Sequence, residues 1–120
     1  MIFTGTDIIE IERINKSIKN PRFLSRIFSP QELIYFTKIN FNPSSIAANF
    51  CAKEAFSKAM GTGFRGMSFN EISVLRDAVG APYISLSGNA LKMLNAKGLK
   101  LSVSLSHSKN YATAIVIAYS

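Results

Sequence analysis

The sequence predicts an α+β fold, with helices gathered in the first half and antiparallel strands in the second. Three observations carry that reading. Cap residues followed by proline recur at Asn20-Pro21, Ser29-Pro30 and Asn42-Pro43, each a helix start signal. Leu101, Val103 and Leu105 alternate with Ser102, Ser104 and Ser106, the period of a half-buried strand. The run from Ala112 to Tyr119 is nearly all apolar, as a buried strand is.

The elements follow in order. Ile2 to Asp7 is β-branched and aromatic and reads as a short strand, with Gly5 permitting close backbone approach. From Ile8 to about Lys19 the apolar spacing Ile8, Ile11, Ile14 (or Ile18) predicts a helix, with Arg13, Lys16 and Lys19 off its stripe. Asn20 caps the next helix, and Ser29-Pro30-Gln31-Glu32 is a capping box before a third. Asn42-Pro43 opens a long central helix to about Met60, rich in alanine and therefore open to close approach on more than one side. Gly61 suits its left-handed cap. Glu71 to Arg76 and Tyr83 to Leu86 flank a turn and form a hairpin. Ser87 caps a short helix ending near Gly98, and the last two strands form a second hairpin around Ser108-Lys109-Asn110.

Composition bounds the function. The 120 residues are 48% hydrophobic, enough for one compact domain spanning 1–120 with a core of its own. Cys51 is the only cysteine, which excludes an internal disulfide and a multi-cysteine zinc site and agrees with a reducing, cytoplasmic setting. The N-terminus lacks a basic n-region and reaches Asp7 early, so no signal peptide is expected. No apolar run approaches the roughly 18 residues of a membrane span. The net charge of +7 points to an acidic partner or an anionic cofactor.

The stretch Phe50-Cys51-Ala52-Lys53-Glu54-Ala55-Phe56-Ser57-Lys58-Ala59-Met60-Gly61-Thr62-Gly63 is the most informative. Glu54 and Lys58 lie four apart and share a helix face. As an exposed ion pair they would contribute only about 0.3–0.5 kcal/mol. The alternative is a polyphosphate and metal site. Asp7 either caps the following helix or ligates a hard cation together with Glu54, since Mg²⁺ asks for few carboxylates plus water and phosphate oxygens. The Gly61-Thr62-Gly63 turn follows a helix and lacks the Walker lysine, so it reads as a C-cap. His107 has no neighbouring aspartate for a triad, and its functional role would be donating to a phosphate. Arg13, Lys16, Lys19, Arg22 and Arg26 form a cationic run with few acids and no interleaved aromatic stacking surface. That favours an acidic protein or a phosphate over single-stranded nucleic acid.

These residues resemble the small bacterial holo-acyl-carrier-protein synthases, a 4′-phosphopantetheinyl transferase family. The resemblance rests on Gly5-Thr6-Asp7-Ile8, on the central block from Phe50 to Gly63, on Gly80-Ala81-Pro82-Tyr83 and on Ser104-Leu105-Ser106-His107-Ser108, in that order across the chain. It implies the transferase fold and Mg²⁺-dependent transfer of phosphopantetheine from coenzyme A to a serine of apo-acyl carrier protein, supporting fatty acid biosynthesis. Asp7 and Glu54 would hold the metal. Lys53, Lys58, Gly61, Gly63, Pro82 and His107 would bind coenzyme A, with Asp7, Glu54 and Lys58 catalytic. The resemblance leaves the base open between a metal-associated water and Glu54. Arg13, Lys16, Arg22 and Arg26 would receive the acidic carrier protein. It also implies a homotrimer with active sites between subunits, with no nucleic acid or membrane partner. Two departures stand out. Asn49 lies where relatives often carry arginine, so a phosphate contact is lost or supplied elsewhere. Thr4 and Thr6 replace more apolar residues beside Gly5. The competing readings are a non-enzymatic basic α+β module for RNA or an acidic protein, and a structural subunit.

Overall fold

The computed structural model describes residues 1–120. The order is β1 (Ile2–Glu10), α1 (Ile11–Ser17), α2 (Pro21–Ile27), α3 (Pro30–Lys38), α4 (Pro43–Met60), a 3-10 turn (Phe69–Glu71), β2 (Ile72–Arg76), β3 (Pro82–Leu86), α5 (Gly88–Lys97), β4 (Lys100–His107) and β5 (Tyr111–Tyr119). The α+β expectation holds. No helix is long and apolar enough to cross a membrane.

The helix starts behave as their cap chemistry predicts. The Asn20 side chain accepts from the Arg22 amide, Asn42 accepts from Ser44 and Ser45, and Ser29 with Glu32 closes a reciprocal capping box. Gly61 ends α4 and Gly98 ends α5, both in the left-handed conformation.

The largest difference from expectation is at the N-terminus. The helix expected from Ile8 starts only at Ile11, because β1 continues to Glu10 paired with β5, Ile8 opposite Thr113 and Glu10 opposite Tyr111. Ile8 is 65% exposed, so it belongs to no helical core stripe. The i, i+3 spacing of the isoleucines fits a helix and not a strand, and pairing to a distant strand overrode that local period. Glu10, not Asp7, occupies the N-cap position of α1, with no side-chain cap bond. Asp7 is thereby freed from the capping role.

β5 is the central strand of a three-stranded antiparallel sheet in the order β1-β5-β4, and β2-β3 form a separate hairpin. The inner face of β5 (Ala112, Ala114, Val116, Ala118) is buried, whereas Ile115 and Tyr119 on the outer face are exposed. The final strand is therefore buried on one face only. α4 lies across the inner face, and its alanines let β1 come very close. A Cβ built on Gly5 would lie 1.9 Å from the Ala55 carbonyl oxygen and 2.7 Å from the Ala59 amide nitrogen. No side chain fits there. Thr6, on the outer face, donates from Oγ1 to the Ala114 carbonyl at 3.0 Å, so this departure from apolar residues ties β1 to β5.

Gly5→Ala forces β1 off α4, and overpacking of this kind costs about 1–3 kcal/mol or more. The variant is expected to melt well below the parent in a calorimetric scan, and an unchanged melting temperature would refute this contact.

Candidate active site

Two residues beyond Gly5 on the same strand face, Asp7 also points toward α4. It meets a stripe of α4 built from Phe50, Glu54 and Lys58, spaced by one turn each. These residues, with Arg13, Ile14 and Ser17 of α1 and Phe23 of α2, line a cleft of about 340 Å³. Asp7, Glu54 and Lys58 are thus brought together, from segments far apart in sequence.

The internal pairing differs from the helix salt bridge. Lys58 turns away from Glu54 and reaches β1, donating to the Thr6 carbonyl at 2.9 Å and to Asp7 Oδ1 at 3.4 Å. Its side chain is 55% exposed, so this bond is weak and easily exchanged for another anion. Partial burial, aided by the Asp7 carboxylate and opposed by Lys58, holds the Glu54 carboxyl above its ordinary value. Beneath them, burial and then the Asp7 charge push the Cys51 thiol up to about 12. Cys51 donates to the Ala112 carbonyl at 3.4 Å and serves as a neutral floor.

Two carboxylates repelling one another in a polar cleft suit a hard dication. No group of three or more His, Cys, Asp or Glu residues gathers in the chain, and Mg²⁺ needs none, because it keeps several waters and takes substrate phosphate oxygens. The donor set fits magnesium and does not fit zinc.

Other expected site residues lie elsewhere. Lys53 is 0% exposed, turned about 100° from Glu54 around α4 and into the interior. Its ammonium donates to Glu32 Oε1 at 2.5 Å, to the Phe69 carbonyl at 3.0 Å and to the Ile72 carbonyl. All three of its protons are used, so the expectation that Lys53 binds cofactor is corrected. It joins α4 to α3 and β2. Desolvation raises the Glu32 carboxyl and lowers the Lys53 ammonium, and their mutual attraction opposes both shifts. Gly61 and Gly63 shape the turn after α4 and line neither of the two clefts that hold the other site residues.

His107 and Pro82 line a second cleft of about 300 Å³, with Arg76, Ser45 and Ala48. It shares no residue with the first. The sheet order explains the division, since Asp7 is on edge strand β1 and His107 on edge strand β4, with β5 between them. Within one chain the histidine does not join the carboxylates. Arg13, Lys16, Arg22 and Arg26 are all exposed on α1 and α2, and Arg13 also borders the first cleft.

Asn49 is fully buried and reaches no cleft. Its amide donates to Glu32 Oε2 and to the Val74 carbonyl, and its Oδ1 accepts from Arg76 at 2.9 Å. Sequence reasoning missed both Glu32 and Arg76. Glu32 read as a cap residue only, and Arg76 as a strand end. The signal available was that Asn49 and Lys53, one turn apart, fall on one helix face.

A partly exposed carboxylate-and-lysine stripe set against the glycine-bearing strand β1 makes a polar cleft of the kind that handles phosphate groups. The chain belongs to the 4′-phosphopantetheinyl transferase superfamily, whose family model matches residues 4–116. Within it, the chain is 49% identical over 114 residues to a holo-[acyl-carrier-protein] synthase of Clostridium botulinum, covering 94% of this chain and 93% of the relative. It superposes on the crystal structure of the Neisseria meningitidis synthase with a TM-score of 0.92 at 37% identity, over the whole of both chains. The Helicobacter pylori synthase, solved in complex with coenzyme A, gives 0.83 at 36% identity, over 98% of this chain and 99% of that one.

The raised Glu54 carboxyl yields a prediction. A group that holds its proton more tightly folded than unfolded opposes folding once it ionises, as pH rises through its folded value. In magnesium-free buffer, Glu54→Gln should therefore melt higher than the parent at pH 7, and the difference should vanish below the ordinary carboxyl value of 4.5. Thermal melts from pH 4 to 8 measure this, and a gain that is the same at every pH would contradict the assigned repulsion.

Proposed function

We propose that this chain transfers 4′-phosphopantetheine from coenzyme A to a serine of apo-acyl carrier protein, as a magnesium-dependent, cytoplasmic enzyme supplying holo-carrier protein for fatty acid biosynthesis. The single observation that supports this best is the convergence of Asp7, Glu54 and Lys58 on one cleft beside exposed cations. A passive basic module has no use for two carboxylates at its basic face.

The reaction asks for positioning and charge neutralisation more than covalent help from the protein. The serine Oγ attacks the β-phosphorus, a new O–P bond forms, and the bond to the bridging pyrophosphate oxygen breaks, releasing adenosine 3′,5′-bisphosphate. Asp7 and Glu54 would hold Mg²⁺, which when bound would neutralise pyrophosphate charge. Lys58, already loosely tied to Asp7, swings onto the phosphates and balances charge on the leaving group. The serine proton would pass either to a metal-associated water or to Glu54, which lines this cleft. Arg13, Lys16, Arg22 and Arg26 present one cationic side to the acidic carrier protein, and that docking weakens with salt.

The second cleft belongs to the same reaction if two copies of the chain share each site, as in a homotrimer. The outer sheet face supports such packing. Ile2 is 73% exposed there, Ile8 65% and Ile115 41%, a run of apolar surface with nothing over it. His107 of one copy would then complete the cleft holding Asp7 of the next.

Incubation with apo-carrier protein, coenzyme A and Mg²⁺ should add the phosphopantetheine mass to the carrier protein. Asp7→Asn and Glu54→Gln should each lower the rate by at least about 100-fold. Arg13→Glu should raise KM for carrier protein and spare that for coenzyme A. No mass gain under conditions where a known synthase works would sink the proposal. The shared site has its own test. At low coenzyme A, Asp7→Asn and His107→Ala chains refolded together should exceed the summed activities of the two alone, whereas a site complete in one chain gives no gain.

A further inference from the structure

The second cleft holds a cation that the reaction has not yet used. Arg76 ends β2, half-buried, with its guanidinium 5.0 Å from the Tyr35 ring centroid. Nη2 donates to Asn49 Oδ1 at 2.9 Å, while Nη1 has only long contacts to the Val74 and Leu75 carbonyls, at 3.5 and 3.4 Å. No carboxylate forms an ion pair with it. The adjacent Asp77 is committed to the turn, accepting from the Val79 and Ala81 amides. Glu32, the other acid of this network, spends its oxygens on Lys53, Asn49 and the Ser29 amide. His107 and Arg76 therefore face a cleft whose lining contains no acid.

Such an arrangement selects an anion. An arginine held on one edge by an amide and on one face by a ring loses little freedom on binding, and its remaining donors match the oxygens of a phosphate. Coenzyme A carries two kinds of phosphate. Its pyrophosphate is matched by Asp7, Glu54 and Lys58 in the first cleft, which leaves the phosphate monoester on the ribose. We propose that Arg76 binds this monoester, and that Asn49, anchored by Glu32, is the positioning residue that aims it. This rests on the transferase reading and adds a residue that the sequence motifs do not include.

Calorimetric titration of the intact protein with coenzyme A and with 3′-dephospho-coenzyme A, in Mg²⁺, tests the assignment. Arg76→Gln should weaken coenzyme A by about 10- to 100-fold, the loss of one charge-assisted interaction, and leave the dephospho compound unchanged. Arg76→Lys should recover only part of the loss, because it keeps the charge and not the fork. Asn49→Ala should raise KM for coenzyme A without raising that for the dephospho compound, a split that a general loss of structure would not produce. A preference for coenzyme A that survives in Arg76→Gln, or an equal weakening of both compounds, would overturn the proposal. If the parent protein binds neither compound, the transferase reading itself fails.

Discussion

The candidate site depends on one steric fact, the contact of the Gly5 backbone with the Ala55 and Ala59 turn of α4. Strand and helix can approach so closely only where neither carries bulk at the crossing. Because strand side chains alternate, the residue two beyond Gly5 must face the helix as well. Because helix side chains recur each turn, the residues beside Ala55 include Glu54 and Lys58. Meeting of the two carboxylates therefore follows from where a side chain is missing. A larger residue at position 5 would widen the gap between Asp7 and Glu54 before it touched either.

The same helix does opposite work on its other side. Lys53 and Glu54 are neighbours in sequence, yet one is sealed and the other lines a cleft. The Lys53–Glu32 pair is expensive to desolvate, and an isolated pair would repay little of that cost. Here every polar atom is engaged: the Ser29 amide, the Asn49 amide and two backbone carbonyls complete the network, and no buried side-chain polar atom lacks a partner. The Phe28 ring, 5.2 Å from the Lys53 ammonium, adds a cation–π contact. The network fixes the rotation of α4 about its axis, and with it the direction in which Glu54 points. It also ends at Arg76, so one chain of hydrogen bonds runs from the core to the second cleft.

Local signals were legible where the chemistry is local. Asn20, Ser29, Asn42 and Gly61 act on atoms within four residues of themselves, and all four behave as their residue type predicts. The alternation in β4 and the hairpin β2-β3 were equally readable. What failed was decided by distant partners. Ile8 to Glu10 became strand because residues 111 to 113 lay alongside, and nothing within the segment distinguishes that outcome from a helix. Lys53 read as a coenzyme A ligand beside Glu54, since a buried lysine is rare. Its carboxylate is 21 residues away and read only as a capping residue. Glu32 in fact does both tasks. A capping-box glutamate uses one oxygen for the amide before it, which leaves a carboxylate whose second oxygen must be paired once burial removes water.

The division of the site follows from the sheet. With β5 between them, edge strands β1 and β4 stand roughly 10 Å apart, two strand spacings, and α4 fills the inner face across that span. Phe50, Glu54 and Lys58 occupy one flank of the helix, Ser45 and Ala48 the other, so each cleft has α4 as its wall. A ligand with phosphates at two points could engage both clefts of one chain only by passing around this helix. Two clefts on different copies face no such obstacle. The exposed isoleucines of the outer sheet face lie on β1 and β5, so packing that covers them also brings neighbouring chains against strand β1. The acid-bearing cleft and the acid-free cleft also differ in charge. The first sets two carboxylates beside Lys58 and Arg13, and the second is lined by Arg76 and His107 with no acid. In the proposed transfer, the carboxylates would take a metal, while Arg76 and His107 would meet a phosphate directly.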